Sequence, residues 1–187
     1  IVIVPNEEKF KSDYPGGYVK PPQIGLHEWV VSFDLNSLYP NIIVEWNMSP
    51  ETIIEDERIH LDPDMCLNGV KNPNPEYALA CNGVFFSKEK QGVLPKIITD
   101  YYDERRLIKR KMLEAQQEKE KMDKSDKQRV YAIERDISRY ENQQMAIKIL
   151  MNSLYGALGN KYFRYFDLRM AEAITLTGQT VIRWAER

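Results

Sequence analysis

The chain has 187 residues, of which 43% are hydrophobic and 29% charged, with two cysteines, two histidines and a formal net charge of −2. That length is enough for one medium domain or two small ones, and the composition is that of a globular rather than a disordered chain. No apolar run approaches a membrane span, so no membrane partner is expected.

The net charge hides an asymmetry. Residues 1–100 hold 8 basic and 15 acidic residues, whereas residues 101–187 hold 18 and 13. The second half is where an anionic partner is attracted, although a solvated helical face of mixed charge has the same composition. Cys66 and Cys81 have no metal-ligand spacing and read as free thiols in a reducing compartment.

Residues 1–28 read as loop-rich, with Tyr14-Pro15-Gly16-Gly17 and Pro21-Pro22 as turn signals. Ile1-Val2-Ile3-Val4-Pro5 lacks the basic flank and long apolar core of a secretory signal. Residues 29–34 predict a strand: Trp29, Val31 and Phe33 alternate onto one face, and Asp34 points the other way. A helix start follows, with Ser37 as N-cap and Pro40 in the first turn, where a missing N–H costs little. Residues 49–80 are rich in Pro, Asp and Asn and read as irregular, and Asn82-Gly83 before Val84-Phe85-Phe86 suggests a short hairpin.

A long helix is predicted from near Pro95, with Ile97, Tyr101, Ile108, Met112 and Ala115 as apolar positions. Residues 121–127 read as a helix–helix turn. A second helix carries Val130, Ile133, Ile137, Tyr140 and Gln144. Two helices joined this way pack antiparallel into a projecting arm about 40 Å long at 1.5 Å per residue. Tyr162-Phe163-Arg164-Tyr165-Phe166 reads as strand-like. A closing helix over 171–187 carries Ile174, Leu176, Val181, Ile182 and Trp184 and ends without a stop signal, and there is no initiating Met. The expectation is a piece of a longer protein, cut at both ends.

Two segments carry candidate chemistry. Around Asp34, a carboxylate beside the free N–H groups of a helix start makes half of a metal–triphosphate site. A buried strand with a capping Asp and a Pro turn is the plainer alternative. In the arm, Arg105 and Lys109 share one helical face, and Lys148 and Asn152 share another, with Tyr155 one turn on. At the base of an antiparallel hairpin these three cations and an amide suit a polyphosphate, while ordinary snorkelling side chains are the alternative for any one of them. Gly156, after Tyr155, lets a flat base approach the backbone or simply ends the helix.

Asp34-Leu35-Asn36-Ser37-Leu38-Tyr39-Pro40-Asn41-Ile42 resembles the first polymerase motif of family B DNA polymerases. Lys148-Ile149-Leu150-Met151-Asn152-Ser153-Leu154-Tyr155-Gly156 resembles their second, on the fingers. Tyr14-Pro15-Gly16-Gly17 is similar to the Tyr-x-Gly-Gly element joining their exonuclease and polymerase regions, and order and spacing also match. The stretch from Ala157 through Arg164-Tyr165 to Asp167 and Arg169 looks most like the T-even phage branch.

The resemblance implies an α+β fold, a partial palm with a helical-hairpin fingers subdomain. Residues 1–94 would be linker and partial palm, 95–156 fingers, and 157–187 the return to the palm. It implies template-directed addition of dNTPs to a primer 3′-hydroxyl with two Mg²⁺ ions, in the cytoplasm of a bacterial host. By analogy Asp34 ligates both ions and the Leu35 carbonyl one of them. The N–H groups of Ser37 and Leu38 hold the triphosphate, and Tyr39 lies under the sugar and excludes ribonucleotides. Arg105, Lys109 and Lys148 contact the β and γ phosphates, and Lys148 also protonates the leaving pyrophosphate. Asn152 places the nucleotide, Tyr155 and Gly156 pack near the nascent base pair, and Tyr14, Gly16 and Gly17 touch template backbone.

The Gly-Asp-Thr-Asp hairpin that carries the second metal-binding Asp of these enzymes does not occur in this sequence. One carboxylate does not hold two Mg²⁺ ions. The chain alone is therefore expected to be inactive and to need the remainder of a polymerase: the second catalytic Asp, thumb and exonuclease, besides primer–template DNA. A naturally separate, non-catalytic nucleic-acid-binding or assembly subunit is the alternative.

Overall fold

A computed structural model describes residues 14–123 and 125–187. The expectations for residues 1–13, including the one for Ile1–Pro5, lie outside the described residues. The fold is α+β. Its elements in order are α1 (Leu38–Glu45), β1 (Ile53–Arg58), α2 (Pro63–Leu67), β2 (Tyr77–Leu79), β3 (Val84–Ser87), α3 (Val93–Lys121), α4 (Lys127–Leu158) and α5 (Leu168–Glu186). The described residues divide into two compact units: those of 14–95 together with Tyr155–Arg187, and those of Lys96–Leu154.

In the first unit, β1, β3 and β2 form an antiparallel sheet in that order. Ala78 faces Phe86 and Leu79 faces Phe85 across the β2–β3 hairpin, and a bulge interrupts β1 between Ile53 and Arg58. The hairpin turn needs Gly83. Its φ is +82°, and a Cβ there would collide with the carbonyl oxygen of Ile59, whose N–H donates to the Gly83 carbonyl at 3.1 Å. Phe85 and Phe86 are buried with Ile43, Met48, Met170 and Ile174, so the sheet, α1 and α5 share one apolar core. The amphipathic pattern of α5 puts Ile174 and Leu176 in that core and leaves Trp184 exposed.

Polar side chains fix the ends of these elements. The Asp167 side chain caps α5 by accepting the Arg169 N–H at 2.9 Å, and the Arg169 guanidinium pairs with Asp167 and with Glu55 on β1, at 2.7 Å each. Asn82 Nδ2 donates to the Arg169 carbonyl at 2.9 Å, and Arg58 pairs with Glu172 at 3.0 Å. The start of α3 is capped from a distance. The N–H groups of Gly92, Val93 and Leu94 donate to Asn47 Oδ1 (2.8 Å), Glu51 Oε1 (2.6 Å) and Ser49 Oγ (3.3 Å). Pro95, next in line, has no N–H to satisfy, so donors that a helix start normally leaves unpaired are met.

In the second unit, α3 and α4 run antiparallel. Lys119 pairs with Glu134 at 2.7 Å and Arg129 with Glu118 at 2.9 Å near the turn. In that turn Asp123 accepts the Ser125 N–H, and Asp126 accepts the Arg129 N–H at the start of α4. Ile98, Ile133, Gln144 and Met151 are the buried residues of this seam.

Four sequence expectations are corrected. Residues 29–34 form no strand: Trp29 is 95% and Phe33 92% exposed, and Trp29 has a left-handed backbone with φ +58°. Alternation alone does not make a strand, because a strand also needs a neighbour for its N–H and C=O groups. Residues 53–58, read as irregular, form β1; Ile53 anchors its start in the core, and the charged residues suit an edge position. Residues 162–166 form turns rather than a strand: the Phe163 N–H donates to the Asn160 carbonyl at 2.8 Å and the Phe166 N–H to the Phe163 carbonyl at 3.0 Å. Ile97 is 39% exposed, and Leu94 and Ile98 take the buried positions instead, because α3 begins at Val93.

Candidate functional site

The Asp34–Tyr39 segment enters α1 through an unusual turn. Ser37 stands at the N-cap position, but with φ +51° and ψ +46° it is left-handed rather than extended, and its side chain makes no capping hydrogen bond. A non-glycine residue in this region costs about 1 kcal/mol or more. The turn is braced elsewhere: Asn41 Nδ2 donates to the Asn36 carbonyl at 2.8 Å, and the Asn41 N–H donates to the Ser37 carbonyl at 3.0 Å. The result is a helix N-terminus without a side-chain cap, next to an exposed Asp34 carboxylate and an exposed Leu35. Such an end presents N–H donors and positive dipole to an anion.

Tyr39, in the first turn of α1, is the centre of an aromatic cluster. Its ring lies 4.6 Å from that of Tyr155, centroid to centroid, at 44°. The Tyr155 hydroxyl donates to that of Tyr14 at 3.4 Å. Burial pushes the Tyr155 phenol up, and so does the bond to Tyr14; Tyr39 is raised by burial and then by Tyr14. Both stay protonated through neutral pH. Gly17 borders the Tyr39 hydroxyl, 3.0 Å from where its Cβ would stand, and the Gly16 carbonyl accepts from Gln179 Nε2 at 2.6 Å. The first unit therefore brings Tyr14, Gly16, Gly17, Tyr39 and Tyr155 together, and Asp34, Leu35, Ser37 and Leu38 lead into the same helix. Gly156 is exposed, with open space where a Cβ would be. It does not end α4, which runs on to Leu158.

Arg105, Lys109, Lys148 and Asn152 belong to the second unit. Arg105 Nε on α3 donates to Gln144 Oε1 on α4 at 3.2 Å. Gln144 is one helical turn before Lys148 and two before Asn152, so Arg105 is brought to the same stretch of α4. Lys109 is one turn from Arg105 along α3, and Lys109, Lys148 and Asn152 are exposed.

Among the described residues no group of three or more His, Cys, Asp or Glu side chains could hold a metal ion. Asp34 offers one carboxylate and Leu35 a carbonyl. This donor set contributes to a divalent site but does not complete a two-ion one. A cleft of about 550 Å³ in the first unit, lined by Trp46, Leu61, Cys66 and Leu79 among others, contains none of the candidate residues.

Sequence reading missed three residues that shape this region. Gln144, on the three-and-four stripe of the second helix, is the buried partner of Arg105; a polar residue on such a stripe is the signal. Gly178 and Gln179 on α5 touch Tyr39 and Gly16, and a glycine inside a strongly periodic helix is the available hint.

Among the described residues no helix is long and apolar enough to cross a membrane. The chain is 35% identical over 209 residues to the DNA-directed DNA polymerase of Escherichia phage RB69, covering 93% of this chain and 23% of that protein. It is 33% identical over 221 residues to the DNA-directed DNA polymerase of Enterobacteria phage T4 (99% and 25% covered). It is also 34% identical over 182 residues to DNA polymerase 1 of Pyrococcus abyssi (97% and 20%). The chain thus spans about a fifth to a quarter of the length of these relatives. The family profile of DNA polymerase family B matches residues 1–187, and with this match over its whole length the chain belongs to DNA polymerase family B.

Proposed function

We propose that this chain supplies the nucleotide-binding part of a DNA-directed DNA polymerase. The reaction is attack of a primer 3′-hydroxyl on the α-phosphate of a dNTP, with departure of pyrophosphate. The observation that carries this reading is the α1 entry: an uncapped helix N-terminus beside the exposed Asp34, with Tyr39 held in the next turn against Tyr155. The N–H groups of Ser37 and Leu38 would hold the triphosphate. Tyr39 would form the floor beneath the sugar, and Tyr155 and Gly156 would border the nascent base pair. Arg105, Lys109 and Lys148 are the cations for the β and γ phosphates, with Asn152 placing the nucleotide and Lys148 as proton donor to the leaving group. Tyr14, Gly16 and Gly17 would meet the template backbone.

The paired Mg²⁺ ions implied for this chemistry stabilise attacking and leaving oxygens when bound. Asp34, with the Leu35 carbonyl, is what this chain would contribute to them. Further carboxylates must come from elsewhere in the protein. The 187 residues alone are therefore expected not to extend a primer.

The test is primer extension with Mg²⁺ and dNTPs, comparing this chain alone, this chain mixed with the polypeptide encoded immediately downstream, and the same mixture with Asp34→Asn. Activity confined to the mixture and lost in the variant supports the reading. Extension by the chain alone refutes the need for a remainder, and activity surviving Asp34→Asn refutes the assignment of the carboxylate.

A further inference from the structure

Tyr39 is held by α5 as well as by its neighbours in the cluster. A Cβ built on Gly178 would stand 2.9 Å from Tyr39 Cε1 and 3.5 Å from both Tyr39 Cδ1 and Ile42 Cδ1. Contacts under 3.0 Å do not persist, so any side chain at 178 displaces the ring edge. Gly178 sits in the buried middle of a 19-residue helix, where glycine costs about 1 kcal/mol relative to alanine. Close approach of the Tyr39 ring is the local gain that offsets this cost. The next residue acts on the same ring from its other end. Gln179 Nε2 donates to the Gly16 carbonyl at 2.6 Å, and Gly17 in turn borders the Tyr39 hydroxyl. Two adjacent α5 residues thus fix both the ring edge and the hydroxyl end, and the Tyr155 ring closes the third side.

We infer that Gly178 and Gln179 are positioning residues for the sugar floor, and that α5 sets the discrimination between deoxyribo- and ribonucleoside triphosphates without touching either. The inference rests on the reading of Tyr39 given under the proposed function. Its physical basis is that a single 2′-hydroxyl is excluded by contact, which changes steeply over tenths of an ångström. Gln179→Leu releases the Gly16–Gly17 segment and lets the phenol yield to a ribose. Gly178→Ala displaces the ring edge and weakens its fit to the deoxyribose. A glycine needed only for packing α5 on α1 would, when replaced, lower kcat/KM for both nucleotides together and leave their ratio unchanged.

The experiment is single-nucleotide insertion by the full-length gene product, with kcat and KM measured for a dNTP and its matched rNTP. Wild type must insert the dNTP selectively, and Tyr39→Ala must lose that selectivity. Failure of either overturns the reading of Tyr39, and this inference with it. With both established, Gln179→Leu and Gly178→Ala are each expected to lower the dNTP-to-rNTP ratio of kcat/KM by at least about fivefold. Gln179→Leu adds no volume to the packed helix and decides the matter where Gly178→Ala fails to fold. A smaller change in the ratio, in Gln179→Leu or in a folded Gly178→Ala, overturns the inference.

Discussion

Arg105 Nε donates to Gln144 Oε1 at 3.2 Å, and this bond joins the two long helices at the level where α4 begins to carry Lys148 and Asn152. Gln144 is 8% exposed while Arg105 is only partly buried, so the amide is a buried acceptor for a cation that keeps contact with solvent. Replacing it with Leu keeps the volume and removes the acceptor. Arg105 retains access to water, so the expected loss of stability in urea melts is no more than about 1 kcal/mol. On the proposed function, the same change in the full-length gene product is expected to raise the KM for dNTP several-fold with a smaller effect on kcat. An unchanged KM would separate Arg105 from triphosphate binding.

Gly83→Ala is expected to be the more damaging change. It places a side chain at φ +82° and drives it into the Ile59 backbone, which cannot withdraw without breaking its own bond to the Gly83 carbonyl. Strain and clash together are expected to cost about 3 kcal/mol or more, read as a lower urea midpoint.

Glu51 gives the acid side of the stability curve a definite sign. Burial alone raises its pKa, but hydrogen bonds from Ser49 and from the Val93 N–H outweigh it, and the net shift is downward. A carboxyl depressed on folding contributes stability that is present above its ordinary pKa and is lost as pH falls through the folded value. Thermal melts of wild type and Glu51→Gln are therefore expected to differ near neutral pH and to converge as pH falls below the usual carboxylate range. Equal separation at all pH values would show that the cap at α3 does not depend on charge.

Cys66 sets the sign on the alkaline side. Burial pushes its thiol up to about 12, helped by a hydrogen bond with Cys81 and by the nearby Asp62 carboxylate. The folded chain keeps this proton where the unfolded chain loses it, so the contribution is intact below about pH 9 and declines as pH rises toward 12. At pH 8.5 the thiol is also expected to react with iodoacetamide at least about tenfold more slowly than a free cysteine. Reaction at the free-thiol rate would place Cys66 in a more polar setting.

Legibility from sequence followed the range of the forces involved. The long helices and the hairpin at Asn82-Gly83 rest on local periodicity and turn chemistry, and both were readable. The β1 strand was not, because Ile53–Arg58 carries its charges as an edge and its pairing to Phe86 spans more than thirty residues. Residues 29–34 misled for the opposite reason: their alternation is strong, but no partner lies among the described residues. At the site, the residue types from Asp34 to Tyr39 announced a helix start. The left-handed turn at Ser37, by contrast, is set by Asn41 reaching back to Asn36, which no spacing rule reveals. Gly178 and Gln179 escaped because their contacts, at Tyr39 and Gly16, are more than a hundred residues away.

The open segment at Trp29-Val30-Val31-Ser32-Phe33 has a practical consequence for anyone handling the isolated chain. It is β-prone, uncharged, free of proline and exposed along its length, which is the profile of a template for intermolecular sheet. On concentration, scattered light is expected to rise more steeply than in proportion to protein concentration, and a lysine introduced at Val31 is expected to act as a gatekeeper and suppress that excess. Colloidal behaviour, rather than melting, would then limit the concentration at which the 187 residues can be studied.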